Sequence, residues 1–328
     1  MINQKQVFIF IALLCISSYA ASSNQPRPQP WIYVDFDAAL CKELHAEAMA
    51  ITKRIIGIDA DDLYGFFKNL YNRYNLSVIK PSTQLKIPKV IHQIWLDDEH
   101  SGKVPAEFIP YVKTCIEKHL GGEWQYKLWT DKDVENLELY NREYYDSSSN
   151  YGVKSDLLKW EIIYKFGGVY LDTDIECLIS LEILHYTYDF YVGIQPLETK
   201  YLQLGAGVFA AHPGHPILKH CIETIKDDWN RKGSAVNKTG PVHFTKSFYA
   251  CAGRGTVDIA LPPNYFYPIC KPPYYFRTLV ASQEERDRWT REGAFTIHHW
   301  SMSWMPPEYR QSEFKGIKNY ESCKTWNQ

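Results

Sequence analysis

Three kinds of signal are missing from this sequence, and each absence closes a class of function. There is no charge excess: 36 Lys and Arg stand against 38 Asp and Glu, a net of −2 over 328 residues. Nothing basic enough to seek nucleic acid or an anionic membrane surface follows from that balance. There is no C-x-x-C spacing among the eight cysteines, which argues against a zinc site. Past the N-terminal stretch there is no apolar run near the about 20 residues that a membrane-spanning helix needs, so no transmembrane partner is expected. Cys15 falls in that first stretch, leaving Cys41, Cys115, Cys177, Cys221, Cys251, Cys270 and Cys323. An odd set leaves at least one thiol free or paired between chains, and the spacings do not say which cysteines pair.

The N-terminus carries Lys5, an apolar run over 7–16 and then Ser17-Ser18-Tyr19-Ala20-Ala21. A basic start, a short apolar core and a small-x-Ala pattern read as a secretory signal peptide cut after Ala20, with an uncleaved Golgi-type anchor as the alternative. The expected setting is the secretory pathway or the cell exterior, where disulfides are permitted. Two sequons, Asn75-Leu76-Ser77 and Asn237-Lys238-Thr239, are candidate glycan acceptors. The chain divides into the signal over 1–20, a linker and helical hairpin over 21–86 that packs on the main domain, the main domain over 87–310, and a tail over 311–328. Aromatics are abundant, with 24 Tyr and 10 Trp. Their apolar faces suit sugars and bases, although most such rings serve the core.

Leu40, Leu44, Ala48, Ile51 and Ile55 share one helical face over 37–56, and a second amphipathic stretch covers 60–74, with Asp37 and Asp59 as N-caps. A β-rich run at 90–96 precedes a helix over 105–119. A second alternating run at 124–129 precedes a helix opened by Thr130. Strands alternating with helices define an α/β domain with a mostly parallel, open sheet, preceded here by a helical segment. Ligands of such sheets sit at the carboxyl ends of the strands, which places Trp95 near the crevice. Further strands are expected at 190–194, 207–211 and 294–300, and a helix over 215–229.

The stretch 154–178 concentrates the chemistry. Helical spacing of Leu157, Leu158, Ile162, Ile163 and Phe166 stops at Gly167-Gly168, and a strand then runs into Asp172-Thr173-Asp174. Two carboxylates at i and i+2, where a strand leaves its sheet, can converge on one hard divalent cation that bridges to substrate phosphates. Near the end, a strand runs into His298-His299. Successive strand residues face opposite sides, so only one of them can serve a given site, and the second, at the strand exit, is expected to be the one.

Five segments resemble family 32 glycosyltransferases, which carry the DXD-containing sugar-binding region. They are His92-Gln93-Ile94-Trp95, Ser155 to Lys159, Gly167 to Asp174, Thr239-Gly240-Pro241 and His298 to Trp304, in the family's order. That family includes Golgi α-mannosyltransferases of fungi and is similar in its core to the glucosylating clostridial toxins. The resemblance covers 87–304 and implies a GT-A type nucleotide-sugar domain that uses Mn²⁺ or Mg²⁺. It implies Asp174 as direct metal ligand, and Asp172 on the ribose or sugar, reaching the ion through water. It further implies Asp156 on donor-sugar hydroxyls, Lys159 where relatives often carry Arg, and Trp95 stacked on the base. Trp300 and Trp304 would close over the diphosphate, with His299 as a further ligand.

The implied reaction moves a hexose from a UDP- or GDP-sugar to a glycan, lipid or protein acceptor with retention of anomeric configuration. Two other classes compete. A haloacid-dehalogenase-type phosphatase also carries a D-x-D after a strand, but a Thr normally follows two residues later, where Glu176 stands here. A catalytically inactive sugar- or nucleotide-binding module would keep the same contacts. Residues two apart at a strand end share an ion rather than flank a glycosidic bond, which sets the pair apart from a glycosidase dyad.

Overall fold

Eight strands form among the described residues: β1 (Val90–Ile94), β2 (Gln125–Trp129), β3 (Gly168–Leu171), β4 (Ile175–Cys177), β5 (Phe190–Ile194), β6 (Leu204–Ala211), β7 (Asp258–Leu261) and β8 (Thr296–His298). The structure, a computed structural model, describes residues 33–41, 45–97, 101–121, 123–199, 201–230, 235–268 and 281–303. All of these lie in one unit, Ile32–Gln328. Six strands make a sheet in the order β2-β1-β3-β6-β5-β7, and β4 pairs with β8 in a separate ribbon. The pairs β1–β2, β1–β3 and β5–β7 are parallel, whereas β6 runs antiparallel to both β3 and β5. The sheet is therefore mostly parallel, as expected, and β3, β5, β6 and β7 are buried along their whole length. That burial matches their near-continuous apolar runs, because helices cover both faces of such sheets.

The helix Tyr151–Phe166 is the element that matters most. Asn150 caps its first turn by accepting from Val153 N at 3.0 Å. Its end is forced by Gly167 and Gly168, with φ of +64° and +101°, values at which a Cβ is strained. A side chain would also collide, at Gly167 with Pro213 Cδ at 2.6 Å and at Gly168 with the Val90 carbonyl oxygen at 2.5 Å. The helix thus turns straight into β3. Trp160 anchors it, packing on Phe209 and Phe244 at ring distances of 5.0 and 4.5 Å and donating to Thr239 O at 2.9 Å. Burying one such ring is worth about 1.5–3 kcal/mol.

Several expected elements have different bounds. The stretch 37–56 forms two helices, Phe36–Leu40 and Ala46–Ile56, because Cys41 turns left-handed at φ +45°. Asp35 rather than Asp37 caps the first, accepting from Ala38 N at 2.8 Å. Asp59 does cap Ala60–Tyr74. The helix expected over 215–229 is broken at Thr224 into Pro216–Glu223 and Ile225–Trp229. The N-terminal helices lie against the sheet domain: Phe66 and Phe67 meet Phe248 at 6.2 and 5.9 Å, and Leu202 N donates to Thr52 Oγ1 at 3.0 Å. The signal over 1–20, the linker and the tail over 311–328 lie outside the described residues, among which no helix is long and apolar enough to cross a membrane.

Candidate active site

Strands β1 and β3 run parallel, so their carboxyl ends open on the same edge of the sheet. Gln93 of β1 donates to Asp172 O at 3.2 Å and accepts from Tyr126 Oη at 2.9 Å, which ties the D-x-D turn to the neighbouring strands. Asp172 N donates to Gly207 O and Ile175 N to Asp172 O, at 2.9 and 3.0 Å, so the turn between β3 and β4 is fixed on both sides. Beyond it opens a cavity of about 460 Å³ lined by Trp95, Asp156, Lys159, Asp172, Asp174, His298 and Trp300, among others.

Asp172, Asp174 and His298 each offer a ligand atom, and these atoms lie within 4.8 Å of one another. His298 Nε2 is 3.2 Å from Asp174 Oδ1 and 4.0 Å from Asp172 Oδ2. Asp172 accepts from Tyr170 Oη at 2.7 Å, and Asp174 accepts from Ser301 N at 2.7 Å. Burial pushes the Asp174 carboxyl up, but His298 and the Ser301 N–H outweigh it and hold it well below the usual carboxylate range. Burial likewise disfavours a charged His298, yet Asp174 and Asp172 keep its pKa above the ordinary histidine value. Asp174 therefore stays ionised. Two carboxylate oxygens and an imidazole nitrogen suit an ion of the Mn²⁺ or Mg²⁺ kind. Gly207 leaves them room, since a Cβ there would stand 2.8 Å from Asp172 Oδ2.

Asp156 and Lys159 come from the same helix, one turn apart. Lys159 Nζ lies 2.9 Å from Asp156 Oδ1 and 3.8 Å from Asp172 Oδ1. It also donates to Ala206 O at 3.3 Å and sits 4.7 Å above the Tyr170 ring. Burial works against its charge, and the carboxylates of Asp156, Asp172 and Asp174 together raise its pKa above the lysine norm. Thr239 donates its hydroxyl to Asp156 Oδ2 at 3.0 Å, which gives the Thr239-Gly240-Pro241 segment a place in the site.

The C-terminal segment corrects the choice between the two histidines. β8 pairs antiparallel with β4, setting Ile175 opposite His298, and the alternation of the strand sends His299 to the other side. There His299 Nε2 lies 3.0 Å from Glu176 Oε2, and its ring stacks on Tyr111 at 4.0 Å. His299 is not among the cavity residues, and His298 takes the place expected of it. The Trp300 ring lies 4.1 Å from that of His298, tilted by 36°. Trp300 and Met302 are left-handed, at φ +51° and +48°, a conformation costing about 1–2 kcal/mol per non-glycine residue. That turn delivers the Ser301 N–H to Asp174. Trp95 lines the cavity and packs on Phe108 at 5.5 Å. Trp304 lies outside the described residues. Tyr170, Gly207, Ser301 and His298 were not singled out from the sequence. The sequence signals for them were indirect: the D-x-D neighbourhood of Tyr170, the histidine pair, the segment 298–304 that holds Ser301 and the expected strand at Gly207.

An α/β domain with a mostly parallel sheet and a D-x-D at the carboxyl end of a central strand is the plan of a GT-A type domain. Residues 105–191 match the model of the glycosyltransferase sugar-binding region containing DXD motif. Over those residues the chain is similar to the glycosyltransferases that this region defines. It is 36% identical over 144 residues to inositol phosphoceramide mannosyltransferase 3 of Schizosaccharomyces pombe, covering 42% of this chain and 37% of that protein. It is 28% identical over 191 residues to an uncharacterised glycosyltransferase of Acanthamoeba polyphaga mimivirus, covering 56% and 73%. To lactosylceramide 4-alpha-galactosyltransferase of Pongo pygmaeus it is 29% identical over 159 residues, covering 45% and 67%. Among solved structures it is similar to the galactosyltransferase LgtC, with a TM-score of 0.40 at 12% identity over 72% of this chain and 95% of that one. The chain spans 37% of the length of the fission-yeast mannosyltransferase.

Proposed function

We propose that this chain is a metal-dependent, retaining hexosyltransferase that uses a UDP- or GDP-sugar and glycosylates a glycan, glycolipid or protein. The observation that carries the proposal is the Asp172–Asp174–His298 cluster, its ligand atoms within 4.8 Å of one another, in the wall of a cavity that also holds Asp156, Lys159 and the Trp95 and Trp300 indoles. A Mn²⁺ or Mg²⁺ ion held by that cluster supplies positive charge against a leaving nucleoside diphosphate. Lys159, buried and held charged, adds a second fixed cation, and fixed charges aimed at developing negative charge need no proton transfer. Asp156, oriented by Lys159 and Thr239, accepts from hydroxyls of the donor sugar. Trp95 offers its face to the base, and Trp300 covers the diphosphate.

Retention follows if the acceptor hydroxyl attacks from the face that the diphosphate leaves, a route that asks no protein nucleophile. Two of the relatives above are named for ceramide lipids, which supports the glycolipid member of the acceptor set. The N-terminal leader pattern supports passage through the secretory pathway.

The test is direct. Purified full-length chain is incubated with Mn²⁺ and a panel of UDP- and GDP-sugars, with and without acceptors. At least one donor is expected to release free sugar or to be transferred, and both chelation and Asp174→Ala are expected to stop it. The proposal fails if no donor reacts and Asp174→Ala binds nucleotide as well as the parent. Binding without turnover marks an inactive module. Phosphate release from a phosphomonoester that depends on Asp172 marks phosphatase chemistry instead.

A further inference from the structure

Behind the D-x-D turn lies a pair of sulfurs that the proposed chemistry does not use. Cys115 sits on the helix Ile109–Glu117, and Cys177 ends β4. Both are buried, at 0% and 1% exposure, and their Sγ atoms are 2.8 Å apart. The same two elements are fastened together at two further points: Cys177 N donates to Thr114 Oγ1 at 2.9 Å, and Cys115 Sγ meets Ile175 O at 3.3 Å. The side chains therefore already face each other across elements that hold their backbones in place. Forming a bond needs the sulfurs to close from 2.8 Å to the roughly 2.05 Å of a disulfide.

We infer that Cys115 and Cys177 are a modification site, joined as a structural disulfide when the chain folds in the presence of a disulfide oxidant of the glutathione class. The thiolate of one cysteine attacks a sulfur of the oxidant, forming a mixed disulfide and releasing one small thiol. The second cysteine, as its thiolate, attacks the protein sulfur of that mixed disulfide, forming the Cys115–Cys177 bond and releasing the second small thiol. Two protein thiols are oxidised and one small-molecule disulfide is reduced to two thiols, so hydrogens and electrons balance. The complete burial of both sulfurs times the reaction to folding, before the helix closes over β4. Once closed, the pair is inert, because buried thiols in apolar surroundings are poor nucleophiles.

The bond would staple the helix to the strand whose Ile175 stands opposite His298 and whose N-terminal neighbour is Asp174. Its place is thus the back wall of the metal cluster, although the inference does not depend on what that cluster does.

Peptide mapping of the unaltered full-length chain tests it. The protein is folded with glutathione disulfide, unfolded in excess N-ethylmaleimide to block every remaining thiol, and digested without reduction. The expected result is a joined peptide pair containing Cys115 and Cys177, two hydrogens lighter than the separate peptides and resolved into them by reduction. Recovery of both cysteines as blocked thiols overturns the inference, and so does finding either one joined to a different cysteine.

Discussion

Asp174 and His298 meet at 3.2 Å, although one leaves the turn after β3 and the other ends β8. His299, the next residue, is held on the opposite side by Glu176. Substituting the two histidines separately distinguishes their roles. His298→Ala is expected to weaken Mn²⁺ binding at least about tenfold, since even residues that only orient a ligand cost 10–100-fold. His299→Ala is expected to retain affinity within about threefold of the parent while lowering stability by only about 0.5–1.5 kcal/mol, because Glu176 loses a half-buried partner but keeps Arg286. Calorimetric Mn²⁺ titration alongside thermal melts separates the two outcomes.

Gly207 faces Asp172 so closely that a methyl group there would stand 2.8 Å from its Oδ2. The group struck is the end of a flexible side chain rather than backbone, so the fold can yield at small cost. Gly207→Ala is expected to cost about 1 kcal/mol of stability, the low end of the range for overpacking, and to reduce donor turnover by about 100-fold, the scale of loss when reacting groups are misplaced by about 1 Å. A steady-state assay beside a urea melt checks both halves.

Away from the site, Asp228 accepts from Lys246 Nζ at 2.7 Å and faces His243 Nδ1 at 3.0 Å. Burial pushes its carboxyl up, but His243 and Lys246 outweigh burial and hold it well below the carboxylate range. A depressed folded pKa gives stability that is present above the unfolded value of about 3.9 and is lost as pH falls through the folded one. Asp228→Asn is expected to cost about 1–3 kcal/mol at pH 7, with the gap to the parent narrowing below about pH 4. Denaturant melts across that range measure it.

Neither sequon suits a glycan in the folded chain. Asn75 is 2% exposed, with Nδ2 donating to Tyr71 O at 2.9 Å and Oδ1 accepting from Ser77 N at 3.0 Å. Asn237 lines the cavity, two residues before the Thr239 hydroxyl that holds Asp156. N-linked glycans are bulky surface groups. Folded protein from a eukaryotic secretory host is therefore expected to show no mobility shift on glycosidase treatment, and a glycopeptide at either asparagine would contradict this.

The parts legible in the sequence were those carried by a sharp local signal. The strand β5 has the bounds expected from its apolar run, and the helix that yields to Gly167-Gly168 and then to β3 follows from a change of period and two residues without Cβ atoms. What could not be read depended on partners distant in sequence. β4 and β8 are three residues each, too short to show a period. Which of His298 and His299 faces the acids is decided only by their pairing, through Ile175. The break at Cys41 rests on a left-handed residue other than glycine, and the meeting of Cys115 with Cys177 on a helix packing against β4.

Ser301 reaches back 127 residues to hold Asp174. During synthesis, a chain that has emerged only through the D-x-D carries the acids without the histidine or the N–H that orders them. The cluster therefore completes itself only when β8 docks on β4, so the proposed ion binding, once acquired, would report the docking of β8 rather than the formation of the main sheet.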